Sequence, residues 1–67
     1  MKCRMFFRRE NESCEFEFEE GKLLCELLLI KNVIPDTVII YKDGVPVPED
    51  EKAEECSYTV LTTSSRG

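Results

Sequence analysis

The sequence has no histidine and no closely spaced pair of cysteines, and both absences bear on metal binding and catalysis. Without histidine, a zinc site would need cysteine ligands alone, yet none of the cysteines forms a CxxC pair. They are Cys3, Cys14, Cys25 and Cys56. A thiol enzyme built on Cys25 would also lack a histidine to activate the thiol. We therefore expect no metal site, no catalytic residue and no enzymatic activity in this chain.

Long apolar runs are also missing. The longest, LLCELLLI, has eight residues and contains Glu26, so it is too short and too polar to span a membrane. Near the N-terminus, Met5-Phe6-Phe7 is too short for the apolar part of a signal peptide. We therefore expect a cytosolic (cytoplasmic) protein, and in that compartment its cysteines would stay reduced.

Positive charge is scarce, because 9 Lys and Arg residues stand against 14 Asp and Glu, which gives a formal net charge of −5. An acidic chain repels phosphate backbones, which argues against direct nucleic-acid binding and favours a basic partner surface. The charge is also uneven, with four basic residues in 1–9 and six glutamates in 10–20. If these stretches pair as antiparallel strands, opposite charges face each other across one surface.

Two stretches near the N-terminus alternate in the manner of half-buried strands. Residues 2–9 read KCRMFFRR and residues 13–19 read SCEFEFE. The side chains predicted to face the core are Cys3, Met5, Phe7, Cys14, Phe16 and Phe18. A short polar link over residues 10–12 makes the pair a predicted hairpin, and cysteines on its inner face would pack as small hydrophobes.

After Gly21 the apolar period changes to that of a helix, over residues 22–32 (KLLCELLLIKN). Its predicted buried face is Leu23, Leu24, Leu27 and Leu28. Leu29 and Ile30 lie off that face, which leaves room for a second contact surface. Asn32 can end the helix, and Pro35 prevents its continuation.

The second half of the chain predicts three more strands. A β-branched run from Thr37 to Tyr41 leads to Asp43-Gly44, a hairpin signal because both turn positions need positive φ. Residues 45–48 (VPVP) can form only a short edge piece, since proline donates no hydrogen bond. Residues 49–55 are predicted to be a solvated acidic loop or one helical turn. The last strand, residues 56–63, would turn Cys56, Tyr58 and Val60 to the core.

This order of elements predicts an α+β protein with a β-grasp (ubiquitin-like) fold. We expect a mixed sheet of four to five strands with one helix packed across one face, and the first and last strands side by side and parallel. Residues 1–63 would form the domain. Residues 64–67 (SSRG) would form a flexible C-terminal tail.

Three runs resemble the ThiS/MoaD family of ubiquitin-like sulfur carriers, which also includes the archaeal small modifier proteins. They are GKLLCELL (21–28), VIPDTVIIYKDG (33–44) and VPEDE (47–51), and the final strand and polar tail match in place and length. The family serves thiamine biosynthesis and molybdenum cofactor biosynthesis. The resemblance covers nearly the whole chain and implies the same fold.

In that family the C-terminal glycine carries the chemistry, so the resemblance implies that Gly67 is the activated residue, with Arg66 beside it. A partner activating enzyme uses ATP to adenylate the carboxylate, which then becomes a thiocarboxylate or an isopeptide bond. The implied partners are this adenylating enzyme, a sulfur donor or acceptor enzyme and target-protein lysines, and the chain itself binds no cofactor. The family ends in Gly-Gly, whereas this chain ends in Arg66-Gly67. A lost final residue, a partner that accepts arginine and a lost carrier function remain open explanations.

The face of the predicted sheet away from the helix suggests a partner site. In a β-grasp the first, last and third strands are neighbours, so Phe6, Ile39, Tyr41 and Leu61 would form one apolar patch. Scattered exposed hydrophobic residues are also normal. The alternative function is therefore a β-grasp protein-interaction module that has an inert tail and binds through this open sheet face.

Overall fold

The computed structural model describes residues 1–63, which form a five-stranded mixed sheet with one helix packed on one face. The strands are β1 (Lys2–Phe7), β2 (Glu12–Glu17), β3 (Val38–Lys42), β4 (Val45–Val47) and β5 (Ser57–Thr62), and the helix is α1 (Leu24–Ile30). The spatial order is β2-β1-β5-β3-β4. Strands β1 and β5 are parallel and the other neighbours are antiparallel. The predicted α+β, β-grasp-like architecture is confirmed.

The core lies between α1 and one face of the sheet, and most of its side chains are those that strand alternation and the helical period predicted. Its buried members are Cys3, Met5, Phe7, Phe16, Phe18, Leu24, Leu27, Leu28, Ile40, Ala53, Tyr58 and Val60. Helix α1 is shorter than the predicted 22–32. Leu23 is its N-terminal cap residue and Lys31 is its C-terminal cap residue. Leu23 is therefore only half-buried, while Leu24, Leu27 and Leu28 fill the core.

The loop between β4 and β5 caps the N-terminal end of α1, which corrects the prediction of a merely solvated loop. The backbone N–H of Leu24 donates to the carbonyl of Glu51 at 2.9 Å, and that of Cys25 donates to the carbonyl of Glu49 at 2.8 Å. In addition, Ala53 of this loop is buried in the core. The first N–H groups of a helix have no partner within the helix, so this distant backbone satisfies them.

Three residues with left-handed backbone conformation determine where α1 ends and where the chain turns between β3 and β4. Asn32 has φ +65°, and its N–H donates to the carbonyl of Leu29 at 2.9 Å, so it ends the helix as predicted. Asp43 and Gly44 have φ +54° and +79°, the geometry expected of the Asp-Gly turn between β3 and β4. Within the described residues, no helix has the length and apolar character that crossing a membrane requires.

Candidate functional site

The face of the sheet opposite α1 carries an apolar patch that spans three adjacent strands. We call Phe6 of β1, Ile39 and Tyr41 of β3, and Leu61 of β5 the open-face patch. Strand register brings these residues together, because Phe6 and Tyr41 both pair with Thr59. Leu61 pairs directly with Ile39. The four side chains chosen from the sequence thus share one region of the surface.

Alternation along the strands explains why this patch is both apolar and accessible. Phe6 stands between buried Met5 and Phe7, so its side chain points to the other face of β1. Ile39 is 38% exposed, and the rest of the open-face patch is half-buried by same-face neighbours. Contiguous exposed apolar surface is typical of partner sites. The partner-binding role of these residues remains a prediction.

A groove of ≈ 400 Å³ lies beside the open-face patch and adds a positive charge to it. Its lining is Arg8, Tyr41, Gly44, Thr59 and Leu61. The backbone N–H of Arg8 donates to the carbonyl of Val60 at 3.0 Å, which aligns Arg8 with β5. The sequence stage did not select Arg8, although its spacing of two from Phe6 places it on the same face. An apolar side chain next to a carboxylate would complement this groove.

The predicted activation residues Arg66 and Gly67 lie outside the described residues, as does the rest of the 64–67 segment. The last described residue is Thr63, whose N–H donates to the carbonyl of Thr37 at 2.8 Å. Its hydroxyl donates to the same carbonyl at 3.3 Å. Because Thr63 is two residues beyond Leu61, the described chain ends next to the open-face patch.

The cysteines are free thiols in this structure. Cys3 is buried, and Cys14 and Cys56 pack against the core, as the alternation predicted. Burial, with a smaller contribution from Cys56, raises the pKa of the Cys3 thiol to about 11, so it is neutral and weakly nucleophilic at neutral pH. Cys25 is half-buried. Among residues 1–63, no group of three or more His, Cys, Asp or Glu side chains could hold a metal ion.

A polar cluster connects the β4–β5 loop to the sheet. The backbone N–H of Glu54 donates to the hydroxyl oxygen of Tyr58 at 2.9 Å, and the Glu54 carboxylate pairs with Lys42. Burial, followed by a hydrogen bond with Cys56, raises the pKa of the Tyr58 phenol. The hydrogen bond with Glu54 raises the pKa of the Lys42 ammonium. Both groups therefore keep their protons at neutral pH, which suits a structural cluster better than acid–base catalysis.

Helix α1 carries further apolar side chains away from the core. Leu29 and Ile30 at its C-terminal end are more than half exposed, and so is Ile34 in the segment that follows. The irregular apolar pattern of the helix predicted that Leu29 and Ile30 would lie off the buried face, and this is confirmed. The described residues thus expose apolar side chains on α1 and its following segment as well as on the open sheet face.

No protein-family model matches the chain, and no curated protein matches its sequence. Membership of the ThiS/MoaD family therefore stays a prediction that rests on the three residue runs and on the order of the elements.

Proposed function

We propose that the protein is a ubiquitin-like carrier or small modifier of the ThiS/MoaD type. A separate enzyme activates its C-terminal glycine, and the open-face patch docks on that enzyme. The chain is the substrate of this reaction rather than its catalyst. The proposal places the protein in the cytosol, where its free thiols stay reduced.

One observation carries the proposal: the open-face patch includes Leu61, one residue before the end of β5, and only Thr63 separates β5 from residues 64–67. Leu61 belongs to the patch, and Thr63 is held beside it by its hydrogen bonds to Thr37. An enzyme that covered Phe6, Ile39 and Leu61 would therefore lie within a few residues of the tail. Apolar contact would supply affinity, and Arg8 would orient the complex through a carboxylate of the partner.

In the proposed reaction, a carboxylate oxygen of Gly67 attacks the α-phosphorus of ATP, and pyrophosphate leaves. A sulfide equivalent from the sulfur donor enzyme then displaces AMP to give a thiocarboxylate. Alternatively, a lysine amine of a target protein displaces AMP and loses a proton, which gives an isopeptide bond. Glycine suits this role because it has no Cβ and few backbone restrictions, so a narrow channel can admit it.

Intact mass spectrometry of the protein purified from its own cells tests this proposal first. We expect a fraction of the chains to carry sulfur in place of one terminal oxygen, localised to Gly67, or to be joined to lysines of other proteins. A native chain that continues beyond Gly67 would move the activated residue to its actual terminus. An unmodified terminus without conjugates, in cells that need sulfur transfer, would overturn the carrier function.

Matched variants distinguish the role of the tail in the modification from the role of the docking surface. Gly67→Ala should abolish the modification, because a methyl group at the reacting residue obstructs the channel. Ile39→Ala should reduce the modified fraction severalfold by removing part of the open-face patch. Leu29→Ala also truncates an exposed apolar side chain, but on α1, and it should leave the fraction unchanged. Equal effects of Ile39→Ala and Leu29→Ala would contradict the proposed docking face.

The second candidate function is an interaction module with an inert tail, favoured by the arginine that replaces the penultimate glycine of the family. The open-face patch and the groove beside Arg8 would then be the whole site. Deleting residues 64–67 should leave the set of copurifying partners unchanged, whereas Ile39→Ala should remove them. Loss of the partners upon deletion of the tail would exclude this alternative.

A further inference from the structure

The two edges of the sheet differ in their capacity to accept another strand. Strand β4 has three residues with Pro46 in the middle, so this edge is short and interrupted. Strand β2 has six residues without proline, and its register with β1 runs unbroken from Glu12 to Glu17. Within residues 1–63, no strand pairs with the other side of β2. A six-residue edge without a bulge is therefore available among the described residues.

The hydrogen bonds of β2 show which backbone groups face this free edge. Phe18 and Met1 exchange two backbone hydrogen bonds, of 2.8 and 3.0 Å. The backbone groups of Phe18 are therefore directed towards the β1 side of β2. In an antiparallel pair this direction alternates along the strand. It follows that Ser13, Glu15 and Glu17 direct their N–H and C=O groups away from β1. The side chains of the same three residues are exposed.

The negative charge along this edge favours a partner segment with positive charge. Six glutamates fall between residues 10 and 20. Three cations lie near them, because Lys2 and Arg4 pair with Glu17 and Glu15 across the strands and Lys31 is 4.0 Å from Glu12. The glutamates outnumber these cations, so the region keeps a net negative charge. Pairing of β2 with a second copy would bring glutamates against glutamates, which is destabilising. Glu15 is already 3.4 Å from Arg4, but both side chains are about 60% exposed, so water and salt screen that pair. A segment with lysine or arginine at alternate positions would complement the edge.

A depression of ≈ 260 Å³ adjoins the same strand. Its lining is Lys2, Glu15, Phe16 and Glu17, so two carboxylates and one ammonium group meet there. The carboxylates can pair with the charged head of a lysine or arginine of the partner, in competition with Lys2. The edge therefore provides backbone pairing groups, complementary charge and a place for a side chain.

We propose that the free edge of β2 binds an extended, basic segment of a partner protein by strand addition. The backbone groups of Ser13, Glu15 and Glu17 form the new ladder, and the glutamate side chains face the partner's basic residues. This site uses backbone groups of β2, which supplies no residue of the open-face patch, although Ser13 pairs with Phe6 of that patch. Its failure would therefore leave the proposed carrier function unaffected.

The test uses a nine-residue capped peptide of alternating valine and lysine, titrated into the full chain. Fluorescence anisotropy measures the affinity, and amide chemical shifts locate the site. We expect the shifts to cluster on residues 13–17. The matched peptides are one with glutamate in place of lysine and one with valines and lysines in separate blocks, and both should bind at least tenfold more weakly. Equal binding of the block peptide would overturn strand addition in favour of simple charge attraction.

Two pairs of variants separate the contribution of the backbone hydrogen bonds to binding from the contribution of the glutamate charge. Glu15→Pro removes both an outward N–H and a charge, whereas Glu15→Gln removes the charge alone. Glu15→Pro should therefore bind at least tenfold more weakly than Glu15→Gln. The pair Ser13→Pro and Ser13→Ala repeats this comparison without any change of charge. It replaces the first pair if Glu15→Pro does not fold. Equal affinities within the pairs, shifts centred on the open-face patch, or a dimer that forms through β2 would overturn the proposal.

Discussion

At the scale of single residues, a leucine's place on α1 decides how much it stabilises the protein. Leu27 is fully buried between helix and sheet, while Leu29, two positions later on the same helix, is 57% exposed. A domain of this size has a free energy of unfolding of only about 5–15 kcal/mol, so one core side chain is a large share of the total. The apolar period of the helix predicted this difference because neighbours in sequence point in different directions.

We expect Leu27→Ala to lower the free energy of unfolding by about 2–5 kcal/mol, because it removes buried surface and leaves a cavity. Leu29→Ala is the matched control, since it makes the same chemical change at an exposed site, and it should cost roughly 0.5 kcal/mol or less. Urea denaturation followed by circular dichroism measures both. Similar losses in the two variants would mean that the buried face of α1 is assigned wrongly.

At the scale of elements, local sequence determines the second hairpin almost completely. Asp43 and Gly44 both have positive φ, and the strands that they join pair as predicted. The N-terminal end of α1 is different, because its first N–H groups donate to carbonyls of Glu49 and Glu51. These residues follow β4 and are more than twenty positions away in the sequence. Glu26 completes this end by accepting the N–H of Leu23 at 2.9 Å.

Gly44→Ala should therefore destabilise the protein by about 1–2 kcal/mol, the cost of a left-handed conformation with a Cβ. No other heavy atom lies within 4 Å of the added methyl, so the cost is in the backbone and not in a clash. Asp43→Asn keeps a residue type that tolerates positive φ, and it should change stability by roughly 0.5 kcal/mol or less. Thermal unfolding measures both, and a neutral Gly44→Ala would contradict the turn geometry.

At the scale of the whole molecule, β5 holds the sheet together. It lies between β1 and β3, so it joins the N-terminal hairpin to the second hairpin. It also contributes buried Tyr58 and Val60 to the core. Because β5 comes last among the strands, the sheet can be completed only after nearly the whole domain is present. The buried core residues named above all lie within residues 3–60.

Truncation after Thr63 should accordingly leave the midpoint of urea unfolding unchanged, whereas truncation after Cys56 should give an unfolded chain. The first variant retains every described strand, and the second removes β5 and leaves β1 and β3 without a common neighbour. Circular dichroism and the dispersion of amide proton shifts distinguish the two outcomes. A clear loss of stability after the shorter truncation would contradict the proposed boundary between domain and tail.

The inner and outer faces predicted from strand alternation are confirmed. The predicted bounds of α1 and the full burial of Leu23 were wrong, and the predictions that depend on distant contacts were incomplete. Alternation placed Phe6, Ile39, Tyr41 and Leu61 on one face, because side chains in a strand alternate with a period of two. The groove beside Arg8 was missed because it also requires the register between β1, β5 and β3. Glu49 and Glu51 were missed because they act through their backbone, which carries no sequence signal.

The sequence by itself determined the type and order of the elements, the inner and outer faces of each strand and the residues that end α1. These follow from periodicity and from backbone preferences, which act over a few residues. Only the tertiary structure decided that Thr59 links Phe6 to Tyr41, that the β4–β5 loop caps α1 and that β2 lies at an edge of the sheet formed by residues 1–63. Such features arise when chain segments far apart in sequence pack together, because packing then determines which groups meet.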